Sequence, residues 1–266
     1  KKVFKSLLSI ETKFDYDLIH AHTLFSNGDI ALRLKMKYGI PYIVAIRNTD
    51  INVFFKYFFF LRKYGLKIME NADKIIFLSP SYKKECLEDY VPIEKRKEME
   101  RKAVIIPNGI NKFWIESSVS SKKRHKEIRL IYVGSIDKNK NVITTILACK
   151  KLLSQGYKVK FTVVGDIEIK IDELNQAFIK HIPYSTKEEI RKYFEESDIF
   201  IMPSKYETFG LVYAEALSQG LPVIYTRGQG FDGQIPDGEV GYSVRYDDVD
   251  EIVEKIILIY NNVLFN

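Results

Sequence analysis

At 266 residues and 46% apolar composition the chain is long enough for two domains with separate cores, and no apolar run reaches the roughly 20 residues that a membrane-spanning helix needs. Residues 1–115 carry 21 Lys+Arg against 13 Asp+Glu, and residues 116–266 carry 20 against 22, so the net charge of +6 arises wholly in the first half. That half is expected to meet the anionic partner or surface, and the absence of a recognisable nucleic-acid motif argues against nucleic acid.

Short apolar runs alternate with helical ones, the pattern of parallel sheets covered by helices. The opening Lys1-Lys-Val-Phe-Lys5 has no signal-peptide pattern. In the first half the expected strands are Asp17–His20, Tyr42–Ile46, Lys74–Leu78 and Ala103–Ile106, with helices near 27–38, 51–70 and 81–90. His20-Ala-His22 ends the first strand and Arg47-Asn-Thr-Asp50 the second, where ligand-facing residues are expected. Pro107-Asn-Gly-Ile-Asn111 is a turn, and the polar stretch 117–127 reads as a linker between domains 1–116 and 128–266. The second half restarts with strand Arg129–Val133 and continues as helix 141–154, strand Lys158–Val164, helix 186–196, strand 198–202, helix 210–219, strand Pro222–Tyr225 and helix 248–262. This predicts a doubly wound domain with ligands outside the carboxyl ends of its strands. Cys86 and Cys149 fall in different domains without metal-ligand spacing and read as reduced thiols, so a cytoplasmic location is expected.

The densest pattern is Pro203-Ser-Lys-Tyr-Glu207-Thr-Phe-Gly210-Leu-Val-Tyr-Ala-Glu215, which joins an apolar strand to a helix. Two carboxylates stand eight residues apart, with Gly210 between them allowing close backbone approach. Carboxylates accept hydrogen bonds from neutral hydroxyls, and the N–H groups of a first helical turn donate to phosphate. Together they suit a molecule with hydroxyls at both ends and a diphosphate between, as in a nucleotide sugar. A capped surface helix with an incidental acidic pair is the plainer alternative, but Asp198-Ile-Phe-Ile-Met-Pro-Ser before the pair and Gly220-Leu-Pro-Val-Ile after it continue the pattern. The segment resembles the Glu-x7-Glu signature of retaining GT-B glycosyltransferases of group 1 (family 4). The resemblance implies two Rossmann-like lobes with parallel sheets, the first apparently lacking its opening strand and Gly-rich loop. A closing helix that crosses back to the first lobe is also not evident, so a fragment of a longer enzyme is expected.

The same resemblance implies roles. Ile131-Tyr-Val-Gly134-Ser-Ile-Asp-Lys-Asn-Lys140 is similar to the family's phosphate loop, with Lys140 against the diphosphate and Ser135 where Arg is common. Glu207 would sit near the transferred sugar, Thr208, Phe209, Gly210 and Leu211 would line the donor, and Glu215 would take the ribose hydroxyls. His22 would act beside Lys140 and Glu207 in catalysis, while Arg47 and Asp50 would face the acceptor. Gly228-Gln-Gly-Phe-Asp-Gly233 stands where the family more often shows Gly-Gly-x-x-Glu and is expected to contact the donor sugar. The expected activity is sugar transfer from a UDP- or GDP-linked donor to a sugar or lipid-linked acceptor, with no cofactor. Asp15-Tyr-Asp17 and Asp248-Val-Asp250 resemble metal-holding pairs, but one precedes a strand and the other opens a helix, so no essential metal is expected.

Phe54 to Tyr64 holds seven aromatics in eleven residues, interleaved with Lys56, Arg62 and Lys63. It reads either as a core helix or as a basic-aromatic segment, 53–64, resting on the inner face of a membrane. Two other functions stay open: a nucleotide-sugar-binding module without turnover, and an epimerase of the same architecture.

Overall fold

The computed structural model describes residues 2–11, 13–119 and 125–262, so 120–124 of the expected linker lie outside the described residues. The chain forms two units that divide between Pro107 and Asn108.

In the first unit helix α1 (Lys2–Ile10) precedes strand β1 (Ile19–Ala21), helix α2 (Asn27–Tyr38) and strand β2 (Tyr42–Ile46). Helix α3 (Arg62–Asn71), strand β3 (Lys74–Phe77), helices α4 (Pro80–Glu85) and α5 (Ile93–Lys102) and strand β4 (Ala103–Ile105) follow. The four strands lie in the order β1-β2-β3-β4, all parallel. Strand β2 reads Tyr-Ile-Val-Ala-Ile without alternation because parallel strands are covered on both faces, and Tyr42, Val44, Ala45 and Ile46 are buried. Helix α2 stops at Gly39, whose φ of 73° lets its N–H return to the Lys35 carbonyl at 2.9 Å.

The expected helix 51–70 is broken. A π-helix runs from Asp50 to Phe55, a 3-10 turn from Phe59 to Leu61, and only then does α3 begin. Phe58 sits at φ −103° and ψ 64°, outside helical geometry. β-Branched and aromatic residues are weak helix formers, and they dominate the run from Ile51 to Phe60. Helices α1 and α5 were not expected. Helix α1 carries Val3, Phe4, Leu7 and Leu8 at helical spacing yet buries no residue, whereas α5 is dominated by charged residues and buries only Met99.

The second unit opens earlier than the expected boundary at 116. Helix α6 (Lys112–Glu116) is capped by Asn111 and carries Trp114, 2% exposed, into the second core, 5.6 Å from the Phe194 ring. Residues 108–116 therefore belong to this unit, and Val119 N–H donates to Ser218 O at 3.0 Å. Strand β5 (Ile128–Val133), helix α7 (Val142–Ser154), strands β6 (Val159–Val164) and β7 (Ile179–Ile182), and helix α8 (Lys187–Glu195) come next. Strand β8 (Ile199–Ile201), helix α9 (Leu211–Ser218), strands β9 (Val223–Thr226) and β10 (Gly241–Val244), and helix α10 (Val249–Asn261) complete it. The six strands are parallel in the order β10-β9-β8-β5-β6-β7. Two strands, β7 and β10, were missed by the sequence reading; both are short edges. The chain winds outward from β5 to β7, then returns to β8 on the other side of β5. The crevice at the carboxyl ends of β5 and β8 is thus the topological switch point, where open α/β sheets bind ligands.

Candidate functional site

Two loops leave the switch-point strands and are tied to each other. After β5, Gly134 N–H donates to Val164 O and Ile136 N–H to Asp166 O, both at 2.9 Å. A Cβ on Gly165 would stand 2.0 Å from Gly134 O, so this approach requires glycine. The chain then turns around the Asp137 carboxylate, which accepts from Ser135 Oγ at 2.9 Å and from the N–H groups of Asn139 and Lys140 at 2.7 Å each. Asn139 stitches this turn to the loop after β8. Its carbonyl accepts from Lys205 N–H at 2.8 Å, its Nδ2 donates to Tyr206 O at 2.9 Å, and its Oδ1 accepts from Tyr206 N–H at 3.1 Å. Asn141 Nδ2 adds a bond to Pro203 O at 3.1 Å.

These ties bring Lys140 to Glu207. The Lys140 Nζ donates to Glu207 Oε2 at 2.6 Å, with side chains 24% and 10% exposed. Glu207 is also supported from behind: its N–H donates to Gln229 Oε1 at 3.0 Å and its carbonyl accepts from Gly230 N–H at 2.9 Å. A Cβ on Gly230 would lie 1.9 Å from Thr208 O. Segment 228–233 is therefore packed against the Glu207 loop and bonded to it.

Both helices that leave the switch point begin without a side-chain cap. Helix α7 follows Asn141 at φ 57° and α9 follows Gly210 at φ 71°. Among the described residues, the other three helices of this unit are capped by Asn111, Thr186 and Asp248. A Cβ on Gly210 would stand 2.3 Å from the Tyr213 ring, so a glycine is required there for space as well as for φ. Phe209 is 6% exposed and packs inward, whereas Leu211 is 41% exposed at the helix start. The open first turns place partial positive charge around Lys140 and Glu207.

Glu215 lies farther along α9, half-buried. Burial pushes its carboxyl above the ordinary range, opposed by a hydrogen bond from the Trp114 side chain and the charge of Lys187. Asn139, Asn141, Gln229 and Trp114 were not anticipated. The only sequence signal for the two asparagines was their position flanking Lys140, where a turn tolerates left-handed backbone. The Asp248 carboxylate accepts from the N–H groups of Asp250 at 3.1 Å and Glu251 at 3.0 Å, so that acidic pair opens a helix, as its position implied. Asp15 and Asp17 are exposed.

On the first unit, the carboxyl ends of β1 and β2 gather His20, His22 and Arg47. The two imidazoles stack with centroids 4.2 Å apart, and Arg47 Nε donates to His22 O at 3.0 Å. Burial, then the neighbouring His22 and Arg47, holds His20 below the usual histidine range. Asp50 departs from its expected acceptor-side place. It is 2% exposed and its carboxylate accepts N–H bonds from Leu24 at 3.0 Å, Phe25 at 3.3 Å and Arg47 at 2.9 Å. It clamps the loops after β1 and β2, and burial raises its pKa despite those three bonds.

The architecture defines a class: two Rossmann-like units with parallel sheets, the second presenting a lysine, a carboxylate and two open helix starts at its switch point. The family model of group 1 glycosyl transferases matches residues 115–263, and that of glycosyltransferase family 4 matches residues 2–112. The chain belongs to the group 1 glycosyl transferases. An alpha-monoglucosyldiacylglycerol synthase from Acholeplasma laidlawii is 27% identical over 276 residues, covering 94% of this chain and 68% of the relative. Sucrose-phosphate synthase from Thermosynechococcus elongatus superposes with a TM-score of 0.74 at 19% identity, over 99% of this chain and 69% of that one. Anabaena HepE in complex with UDP gives a TM-score of 0.70 at 16% identity, over 98% and 72%. The fold is GT-B, as the resemblance of the Glu207–Glu215 segment implied.

Proposed function

We propose that this chain is a retaining glycosyltransferase that moves a sugar from a UDP- or GDP-linked donor to a sugar or lipid-linked acceptor, in surface polysaccharide or glycolipid synthesis. The observation that carries the reading is the Lys140–Glu207 pair, 2.6 Å apart between two open helix starts. A diphosphate in that crevice would take the Lys140 ammonium and the N–H groups after Gly134 and Gly210. Glu207 would meet hydroxyls of the donor sugar, and Glu215 those of the ribose. As the sugar leaves, its bond to the diphosphate oxygen breaks and a bond to the acceptor oxygen forms on the same face. The departing phosphate oxygen takes the acceptor proton, while Lys140 stabilises the charge that develops there. His22 and Arg47 would serve the acceptor edge, and the positive charge at the donor site would come from the protein without a metal or cofactor. The bound UDP of HepE supports the donor class, and the name of the Acholeplasma relative supports glycolipid synthesis. Contact with the inner face of a membrane would be made through 53–64, where Tyr57–Phe60 are exposed.

Thermal unfolding with UDP, GDP, ADP and CMP tests the donor site, with Glu215→Ala as control. A nucleotide at about a hundred times its dissociation constant should add roughly 2.7 kcal/mol. Stabilisation by one nucleotide, lost in the variant, is the expected result. No stabilisation by any of the four would sink the reading.

A further inference from the structure

Trp114 is the single tryptophan of the chain and is 2% exposed. A buried indole N–H needs an acceptor, and here it finds the half-buried Glu215 carboxyl on α9. The ring itself serves the core, 5.2 Å from Phe113 and 5.6 Å from Phe194. One side chain thus joins the core of the second unit to a carboxylate of the donor edge.

The indole is fixed from several sides. At the start of α6, the Asn111 side chain accepts from Phe113 N–H and its carbonyl from Trp114 N–H, both at 3.0 Å. Gln219, fully buried one turn after Glu215, donates from Nε2 to Trp114 O at 3.4 Å and to Ser218 Oγ at 3.0 Å. Ser218 O accepts in turn from Val119 N–H at 3.0 Å. Segment 111–119 is therefore bonded to the last turn of α9, and Phe194 of α8 backs the ring.

A flexible glutamate loses rotamer freedom when a ligand orders it. A donor already in contact removes part of that cost before the ligand arrives. The indole has a single N–H, so it occupies one accepting position of the carboxylate and leaves the others for hydroxyls. A hydrogen bond to the charged form also favours ionisation, against the burial that opposes it. The charge of Lys187, at the start of α8, bears on Glu215 in the same sense, and its ammonium lies 5.5 Å over the Phe113 ring. Lys112 and Glu116 of α6 pair with each other at 3.0 Å.

We infer that Trp114 is a positioning residue of the nucleotide subsite: its indole N–H holds the Glu215 carboxylate in one orientation, with its remaining accepting positions turned to the ribose hydroxyls. The inference rests on the role proposed for Glu215.

Trp114→Phe keeps an aromatic ring in the core and removes the donor. The test is calorimetric titration of UDP and GDP into wild type, Trp114→Phe, Glu215→Gln and the double variant. Trp114→Phe should weaken the nucleotide that binds about tenfold, as for loss of a hydrogen bond to a charged group. In the Glu215→Gln background it should weaken binding no further. The loss of affinity on acidification should also begin at higher pH in Trp114→Phe, because the carboxylate has lost a donor. A second measurement needs no core variant. As the one tryptophan, Trp114 should change its emission when nucleotide binds the wild-type chain. Without nucleotide its emission should follow the protonation of Glu215, a transition that Glu215→Gln should remove.

Binding that Trp114→Phe leaves unchanged, or weakens equally in both backgrounds, overturns the inference and leaves the donor reading standing. If Trp114→Phe fails to fold, the wild-type emission decides: no response to bound nucleotide overturns the inference. Absence of binding by either nucleotide overturns it together with the donor reading.

Discussion

The carboxyl edges of the two units are built in opposite ways. In the second unit, loops from β5 and β8 are bonded to each other at Asn139 and Asn141, and segment 228–233 backs them at Gln229 and Gly230. In the first unit one buried carboxylate, Asp50, gathers the loop ends, while His22 and the Tyr57–Phe60 rings stay exposed. The difference teaches where precision is needed. A site that stabilises developing charge gains most from groups fixed before reaction. On the proposed reading the first unit's edge would receive the acceptor and so would need access, with a single clamp to hold its loops.

The sharpest test of the rigid edge is Lys140→Ala. If the ammonium acts on the diphosphate, kcat should fall ~10²–10³-fold, as for loss of one preorganised contact. A transfer assay with the nucleotide that stabilises the chain checks this, and a loss confined to KM would break the assignment. On the other edge, Asp50→Ala strands three N–H groups and should lower stability by about 3 kcal/mol, read by denaturant unfolding. Asp50→Asn should lose less, because an amide oxygen still accepts. The raised pKa of Asp50 means that the native state holds its proton more tightly than the unfolded chain does. Its contribution to stability should therefore decline as pH rises from the unfolded value through the folded one, and Asp50→Asn should flatten that slope.

Gly230→Ala probes the backing of Glu207 without touching a charged group. A Cβ at 1.9 Å from Thr208 O must displace the Glu207 loop, and a shift near 1 Å can lower turnover about 10²-fold. An activity loss no larger than expected from the melting temperature would show that the loop position matters little. The smallest effect concerns Glu215, whose carboxyl is raised by burial. Nucleotide affinity should weaken on acidification at a pH above the ordinary glutamate range, since protonation removes an acceptor for ribose hydroxyls. Glu215→Gln should erase that step in a calorimetric titration across pH.

Much of the donor edge was legible because its residues announce backbone demands. Gly134 and Gly210 lie between strand and helix, where a close approach or a positive φ favours glycine, and the family resemblance pointed to Lys140 and Glu207. Asn139, Gln229 and Trp114 were not legible. Their partners lie far along the chain, and an asparagine that stitches two loops looks like any turn residue. Asp50 was misplaced for a related reason: a carboxylate at a strand end reads alike whether it faces a ligand or three N–H groups. The aromatic run kept two readings open, and the structure divides it: Phe55 lies in the core while Tyr57–Phe60 are exposed beyond the helix break at Phe58.

By itself, then, the sequence determined the alternation of strand and helix, the division into two units and the glycines and charges of the loops after β5 and β8, while the GT-B architecture was implied by a family resemblance. Hydrophobic runs and glycine requirements are local, and local patterns survive in one dimension. Only the tertiary structure decided the boundary at Pro107, the edge strands β7 and β10, the pairing of Lys140 with Glu207, and which acid clamps a loop. Those depend on which distant groups satisfy each buried donor and acceptor, and that accounting closes only when the chain is folded.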